Sequence, residues 1–234
     1  MQWINANHVL NPFVYGKLPY DTEREFAPVT QLVTQPLVLT VAASFPTASV
    51  KDLIAVLKSK PGALSASSSG TAGAGAMTTA MLRMQTATNY VIVPYSGGAP
   101  AMVALLAGEV QFYFPAISTG MSTIKSAKVK VLATSSKKRL AYLPDVPTFA
   151  ESGLARLDVV PWDGVVAPAK APRAIVNRLQ RELVKVLNLP NVAAHMTASG
   201  SEPIGSTPDA FAIEIKEQLK TSDRLAEAGI IKRQ

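Results

Sequence analysis

The stretch Val93-Pro94-Tyr95-Ser96-Gly97-Gly98-Ala99-Pro100-Ala101 lies between the apolar run YVIV (90–93) and the helix-like run AMVALLAGE (101–109). A β-branched run, then glycines, then a proline near the first helical position, reads as strand, turn and helix. At the carboxyl end of a parallel strand, such a turn leaves backbone amides pointing outward at the positive end of the helix dipole. That arrangement suits a carboxylate or another small anion. Gly97 and Gly98 let a ligand approach the backbone closely, and Pro100 has no amide to satisfy. The design recurs in SASSSGTAGAGAMTTAML (65–82), where Ser67, Ser68, Ser69, Gly70, Thr71 and Gly73 join a strand to a helix. Two helix N-termini facing one cleft would hold a small anion without any arginine. Glycine and serine also build ordinary turns, so either stretch alone remains open to a purely structural reading. Tyr95 either packs or lends its phenol to the anion.

Outward from these turns the pattern alternates. PLVLTVA (36–42), ALSAS (63–67), YVIV, VQFYF (110–114) and VKVLAT (129–134) read as strands; SVKDLIAVLKSK (49–60), AGAMTTAMLRM (74–84), APAMVALLAGE and STGMSTIKS (118–126) read as helices. Alternation of this kind is the mark of strand and crossover-helix units on a mostly parallel sheet. In the first helix Ser49 caps with Asp52 three residues on, Val50, Leu53, Ile54 and Leu57 form one face, and Pro61-Gly62 ends it. After Thr134 comes a loop-like stretch, SSKKRLAYLPDVPTFAESG (135–153), then the apolar segment LDVVPWDGVVAPA (157–169). Two strong helices follow. One opens at Pro172 and carries Ile175, Val176, Leu179, Leu183, Val184 and Leu187; the other opens at Thr207-Pro208-Asp209 and runs to about Gly229. NVAAHMTASGSEPIG (191–205), between them, reads as a short helix, a turn and a short strand. The expected organisation is an α/β lobe at 41–134 and a discontinuous, incomplete lobe from 1–40 and 135–234, with a ligand cleft between lobes.

Composition narrows the function classes. A chain of 234 residues, 48% hydrophobic, buries an ordinary core. It has no cysteine, which excludes disulfides and thiolate metal sites, and its two histidines, His8 and His195, are far apart; no metal and no cofactor are expected. The net charge of +7 is spread along the chain, with only KSAKVK and SSKKR as small clusters that lack aromatics, so no nucleic-acid partner is expected. No apolar window approaches a membrane span, and the first residues carry no export-signal pattern. There is no G-x-S-x-G elbow and no H-E-x-x-H; STIK and SSKK match S-x-x-K without companion motifs. No acid, base and nucleophile set emerges, and catalysis is not expected.

Five stretches then resemble one family: NPFVYGKLPYDTEREFAPVT (11–30), SVKDLIAVLKSKPGALSASSSGTAG (49–73), VPYSGGAPAMVALLAGEVQFYF (93–114), VKVLATSSKKRLAYLPDVPTFAESG (129–153) and PWDGVVAPAKAPRAIVNRLQRELVKVL (161–187). In order and over nearly the whole chain they are similar to the tripartite tricarboxylate transporter substrate-binding receptors, the Bug proteins. The resemblance implies an α/β, two-lobed periplasmic-binding-protein fold of type II (Venus flytrap). It also implies a periplasmic receptor that captures a small carboxylate, a di- or tricarboxylate, acidic amino acid or aromatic acid, and passes it to membrane permease subunits. Carried over, the ligand contacts fall on Ser68, Ser69, Gly70 and Thr71, on Tyr95, Ser96, Gly97, Gly98 and Ala99, and on Phe114 and Ser118, while Trp162 either lines the cleft or packs in a core. Relatives open with an export signal, a strand, a glycine-rich loop and a helix before the match to NPFVYGKLPYD, so the first strand-loop-helix portion of lobe 1 is expected to be missing, through a start-site error, truncation or an unexported role. In FYFPAIST, Pro115 and Ala116 stand where many relatives carry an acidic or amide residue. The alternatives are an effector-sensing two-lobed domain of a regulator and a truncated remnant that no longer binds.

Overall fold

Alternating short apolar runs and longer amphipathic ones fold into nine strands and eight helices among the described residues of the computed structural model. These are β1 (Gln2–Asn5), α1 (Asn7–Val14), β2 (Phe26–Thr34), β3 (Val38–Ala42), α2 (Val50–Ser59), β4 (Ser65–Ser69), α3 (Ala74–Thr86), β5 (Val91–Tyr95), α4 (Gly98–Ala107), β6 (Phe112–Tyr113), α5 (Ile117–Lys125), β7 (Val129–Thr134), β8 (Trp162–Pro168), α6 (Arg173–Leu187), α7 (Pro190–Ala198), β9 (Glu202–Pro203) and α8 (Pro208–Glu227). The structure describes residues 1–15, 17–71, 73–155, 157, 159–229 and 231. Ala72, inside the second glycine-serine turn, and Asp158, at the head of LDVVPWDGVVAPA, lie outside the described residues. The chain divides into two compact units, Met1–Gln35 with Pro161–Gln234, and Pro36–Val160.

The contiguous unit carries a five-stranded sheet in the order β5-β4-β6-β3-β7. β4 pairs in parallel with β5 and β6, while β3 runs antiparallel to both β6 and β7, so four strands share one direction and β3 alone is reversed. All five residues of β3 are buried, as a central strand covered on both faces requires. Phe112 and Phe114 point into one core with Leu39, Leu53, Leu57, Leu82 and Tyr90. Tyr113, on the opposite face, packs with Ala101, Met102 and Leu105 of α4. α2 begins as its sequence demands: Ser49 Oγ accepts from the Asp52 amide at 3.1 Å, and Asp52 Oδ2 accepts from the Ala48 amide at 3.2 Å.

The boundaries of this unit differ from those read in the sequence. Residues 36–40 belong to it because β3 is zipped to β7 from Val38↔Thr134 onward. The segment 135–160 belongs to it as well, because Phe149, Leu154 and Leu157 are buried in the same core as Phe112, and Phe149 and Thr134 are joined backbone to backbone at 2.7 Å. Within that segment Thr148 Oγ1 accepts from the Glu151 amide and Glu151 Oε2 accepts from the Thr148 amide, a reciprocal cap that fixes an irregular loop without a helix.

The discontinuous unit holds an antiparallel sheet in the order β1-β8-β2-β9. Successive residues of β8 face opposite sides: Val165 and Ala167 pack with Val176 and Leu187 of α6, while Trp162 and Val166 pack with Phe211 and Ile215 of α8. Gly164 is dictated by this packing, since a Cβ there would collide with the ring of Phe211. β1, α1 and β2 are not visible in the sequence pattern. In β2 the register shifts between Pro28 and Thr30 and again between Gln31 and Val33, which breaks the period of two that marks a strand.

Candidate functional site

The helices α3, α4 and α5 follow β4, β5 and β6, whose shared direction brings all three helix starts to one edge of the sheet. None of the three has a side-chain cap, and none carries an acidic residue in its first turn. α1, α6 and α7 lack both as well, whereas α2 and α8 are capped by Ser49 and Thr207 and carry Asp52 and Asp209. The first turns of α3, α4 and α5 therefore bring no carboxylate to their own positive ends.

Glycines bring these starts together. A Cβ on Gly75, in the first turn of α3, would lie 2.8 Å from the carbonyl oxygen of Phe114; one on Gly98, at the start of α4, would lie 2.7 Å from Thr119 Cγ2 and 3.4 Å from the Tyr113 hydroxyl. Gly70 and Gly73 adopt φ of +102° and +106°, the region that glycine enters without strain, and so carry the chain from β4 into α3. Gly97 is extended, and a Cβ there would meet nothing within 4 Å. The backbone between β5 and α4 is thus open to an approaching ligand.

The residues expected at the site divide into several groups. Ser69, Thr71, Ser96, Ala99 and Ser118 are exposed, Gly70, Gly97 and Gly98 are half-buried, and all eight lie at the strand ends, connections or first turns that lead from β4, β5 and β6 into α3, α4 and α5. Ser68 is buried and its hydroxyl donates to the Gly70 carbonyl at 2.6 Å, shaping the turn from within. The Tyr95 phenol donates to Glu109 Oε2 at 3.5 Å, beyond the far end of α4; partial burial and the negative charge of Glu109 hold its pKa above the ordinary phenol value.

One expectation is corrected, and one left open is decided for the core. The Phe114 side chain is not a lining group: it is 1% exposed and stacks edge-on with Phe112 and Phe149, so that only its backbone faces α3. Trp162 is not one either. It is 1% exposed in the core of the other unit, edge-on to Phe211, and its indole N–H donates to Gln218 Oε1 at 2.7 Å. A buried indole with its one donor satisfied is a packing residue. Sequence reasoning missed Tyr113 and Thr119. The signal was present in the alternation of Phe112, Tyr113 and Phe114, which sets the one hydroxylated ring on the face opposite the two phenyls. Burial raises the Tyr113 pKa, and the nearby Ser69 hydroxyl pulls it partly back.

The sequence profile of the tripartite tricarboxylate transporter family receptor matches residues 2–230. The chain belongs to this family. A Pseudomonas sp. (strain P51) protein of the tcbD-tcbE intergenic region is 32% identical over 93% of this chain and 65% of its own length. BugT of Bordetella pertussis is 29% identical over 82% of this chain and 59% of its own. The chain thus spans 65% and 59% of these two relatives. Among solved structures, a periplasmic transporter is 33% identical with a TM-score of 0.88, covering 98% of this chain and 77% of that one. R. palustris Rpa4515 with adipate is 26% identical with a TM-score of 0.87, covering 99% and 78%. The periplasmic binding protein BugD is 28% identical with a TM-score of 0.85, covering 99% and 78%. The two-lobed α/β fold expected from the sequence is therefore the fold of the family. Receptors of the tripartite tricarboxylate transporter family are solute-binding proteins rather than enzymes, in agreement with the lack of a catalytic constellation in the sequence.

Proposed function

We propose that this chain is the solute-capturing part of a periplasmic receptor that binds a small carboxylate and delivers it to the membrane permease subunits of a tripartite tricarboxylate transporter. The observation that carries the reading is the meeting of three helix starts, α3, α4 and α5, at one sheet edge without side-chain caps or first-turn carboxylates. Backbone amides at such ends donate to anions, and the dipoles favour negative charge without a cation. The exposed hydroxyls of Ser69, Ser96 and Ser118 add polar partners at the same edge. The adipate in Rpa4515, a member of the same fold at 26% identity, supports a dicarboxylate as the first ligand class; tricarboxylates, acidic amino acids and aromatic acids are the others.

The test is a thermal-melt screen of the chain against adipate, malate, citrate, glutamate and benzoate. One class of acid is expected to raise the melting temperature in a dose-dependent way. In Gly97→Leu the added side chain enters open space, so the free protein should melt as the wild type does while the rise with acid disappears. An undiminished rise in that variant would move the site elsewhere.

A further inference from the structure

We propose that Tyr113 is a positioning residue for the anion site, setting the spacing of the helix starts on which ligand choice depends; the inference rests on the carboxylate-receptor reading. Tyr113 closes β6, which lies between β4 and β3 in the sheet, and its backbone is held from both sides, opposite Ser67 and opposite Thr40. Thr40 Oγ1 donates to its carbonyl at 3.0 Å. The ring is 1% exposed and packs under α4 among Ala101, Met102 and Leu105. A phenol in such a cluster costs desolvation unless its hydroxyl finds partners, and phenylalanine would fill the same volume at no such cost.

The hydroxyl's surroundings account for it. On one side is Ser69, the last residue of β4 and the first exposed hydroxyl of the α3 turn. On the other is Gly98, the first residue of α4, whose Cβ position lies 3.4 Å from the phenol oxygen. The phenol oxygen therefore lies near both turns, with the Ser69 hydroxyl on one side and, on the other, the place of a Gly98 Cβ 3.4 Å away. The chain directly after Tyr113 supplies the rest of the support, the Phe114 carbonyl beneath Gly75 and Thr119 beside Gly98. One short segment, 113–119, is the floor on which both helix starts rest, and Tyr113 is its polar contact. Since the phenol is buried, it acts through Ser69 and Gly98 rather than by touching the ligand.

The experiment compares wild type, Tyr113→Phe, Ser69→Ala and the double variant by calorimetric titration with succinate, adipate and citrate, alongside their melts without ligand. Tyr113→Phe keeps the ring and should melt close to wild type, yet bind its best acid about tenfold more weakly. The preference among the three acids should also narrow, because the spacing is no longer fixed; mere loosening of the core would weaken all three alike. The double variant should bind no worse than Ser69→Ala alone, since that substitution removes both the Ser69 hydroxyl at the ligand edge and its link to Tyr113. Should Tyr113→Phe not fold, Ser69→Ala removes the link from the exposed side, and a narrowed preference among the three acids, beyond the weaker binding that loss of the Ser69 hydroxyl itself brings, is the readout for positioning. Wild-type affinity and preference in Tyr113→Phe and Ser69→Ala, with binding still abolished in Gly97→Leu, would overturn the positioning role and leave the site intact. If the wild-type chain binds none of the acids, the carboxylate reading fails, and the role of Tyr113 with it.

Discussion

A Cβ placed on Gly98 would meet Thr119 Cγ2 at 2.7 Å, whereas one placed on its neighbour Gly97 meets nothing within 4 Å. Both glycines were expected to admit a ligand, but only Gly97 is free of the protein's own atoms. Gly98→Ala should therefore destabilise the fold by about 1–3 kcal/mol in urea unfolding, as overpacking does. Thr119→Ser removes the offending methyl and should restore most of that loss, a rescue that would be missing if Gly98 were needed for ligand access alone. A second residue-level effect concerns His8. It is buried between Tyr20, stacked at 5.2 Å, and Phe26, edge-on at 4.9 Å, and among the described residues its Nε2 has no hydrogen-bond partner. It lines a small cavity whose charged members are Glu23 and Lys216. Burial holds its pKa below the ordinary 6.5. The unfolded chain takes up the proton at the ordinary value and the folded chain resists it, so the stability due to neutral His8 is complete above 6.5 and falls as pH drops through the lowered folded value. Melting temperatures between about pH 7.5 and pH 5 should fall more steeply for wild type than for His8→Phe, which keeps the aromatic stack; parallel slopes would remove His8 from the acid response.

At the scale of elements, α2 and α8 have side-chain caps and first-turn acids while α1, α3, α4, α5, α6 and α7 have neither, so what sets α3, α4 and α5 apart is that their starts share one sheet edge. Ser49 and Thr207 cap α2 and α8, while α4 starts at two glycines with no cap and no acid. Ala99→Asp would supply the missing carboxylate at an exposed position of the first turn. A carboxylate there favours the helix by about 0.3–1 kcal/mol, so the melting temperature should hold or rise slightly. Acid binding should nonetheless be lost, because the added charge occupies and repels the anion's place; a variant that still binds adipate as wild type does would separate the α4 start from the site. This difference between helices was legible in the sequence, because Ser49 with Asp52 and Gly97 with Gly98 are local signals. β2 was not legible, since its two register shifts and Pro28 erase the alternation that long-range pairing with β8 imposes. The contribution of Tyr113 was half-legible: its face follows from alternation within FYF, but its approach to Gly98 and Ser69 depends on β6 lying beside β4, a pairing made across more than forty residues of chain.

At the scale of the molecule, the alternation from Pro36 to Thr134 announced one α/β body, and its true end lies at Val160. The error had a physical source. Phe149, Leu154 and Leu157 enter the core from turns, at spacings that match neither a helix nor a strand, so nothing local marks 135–160 as part of the same body. The corrected boundary has a consequence that the sequence division of 41–134 would not. Residues 36–160 are one uninterrupted segment holding the whole five-stranded sheet, the core around Phe112 and the packing around Tyr113. Expressed alone, 36–160 should unfold in a single cooperative transition, while 41–134 should not. The shorter piece lacks Val38 and Leu39 of β3, and loses Phe149, Leu154 and Leu157 from a core in which each large apolar side chain contributes about 1.5–3 kcal/mol. Because the starts of α3, α4 and α5 all lie inside 36–160, added adipate should still shift the amide resonances of Gly97, Gly98 and Ala99 in the isolated segment. A folded segment whose amides ignore every acid in the screen would show that the three helix starts alone do not hold the anion.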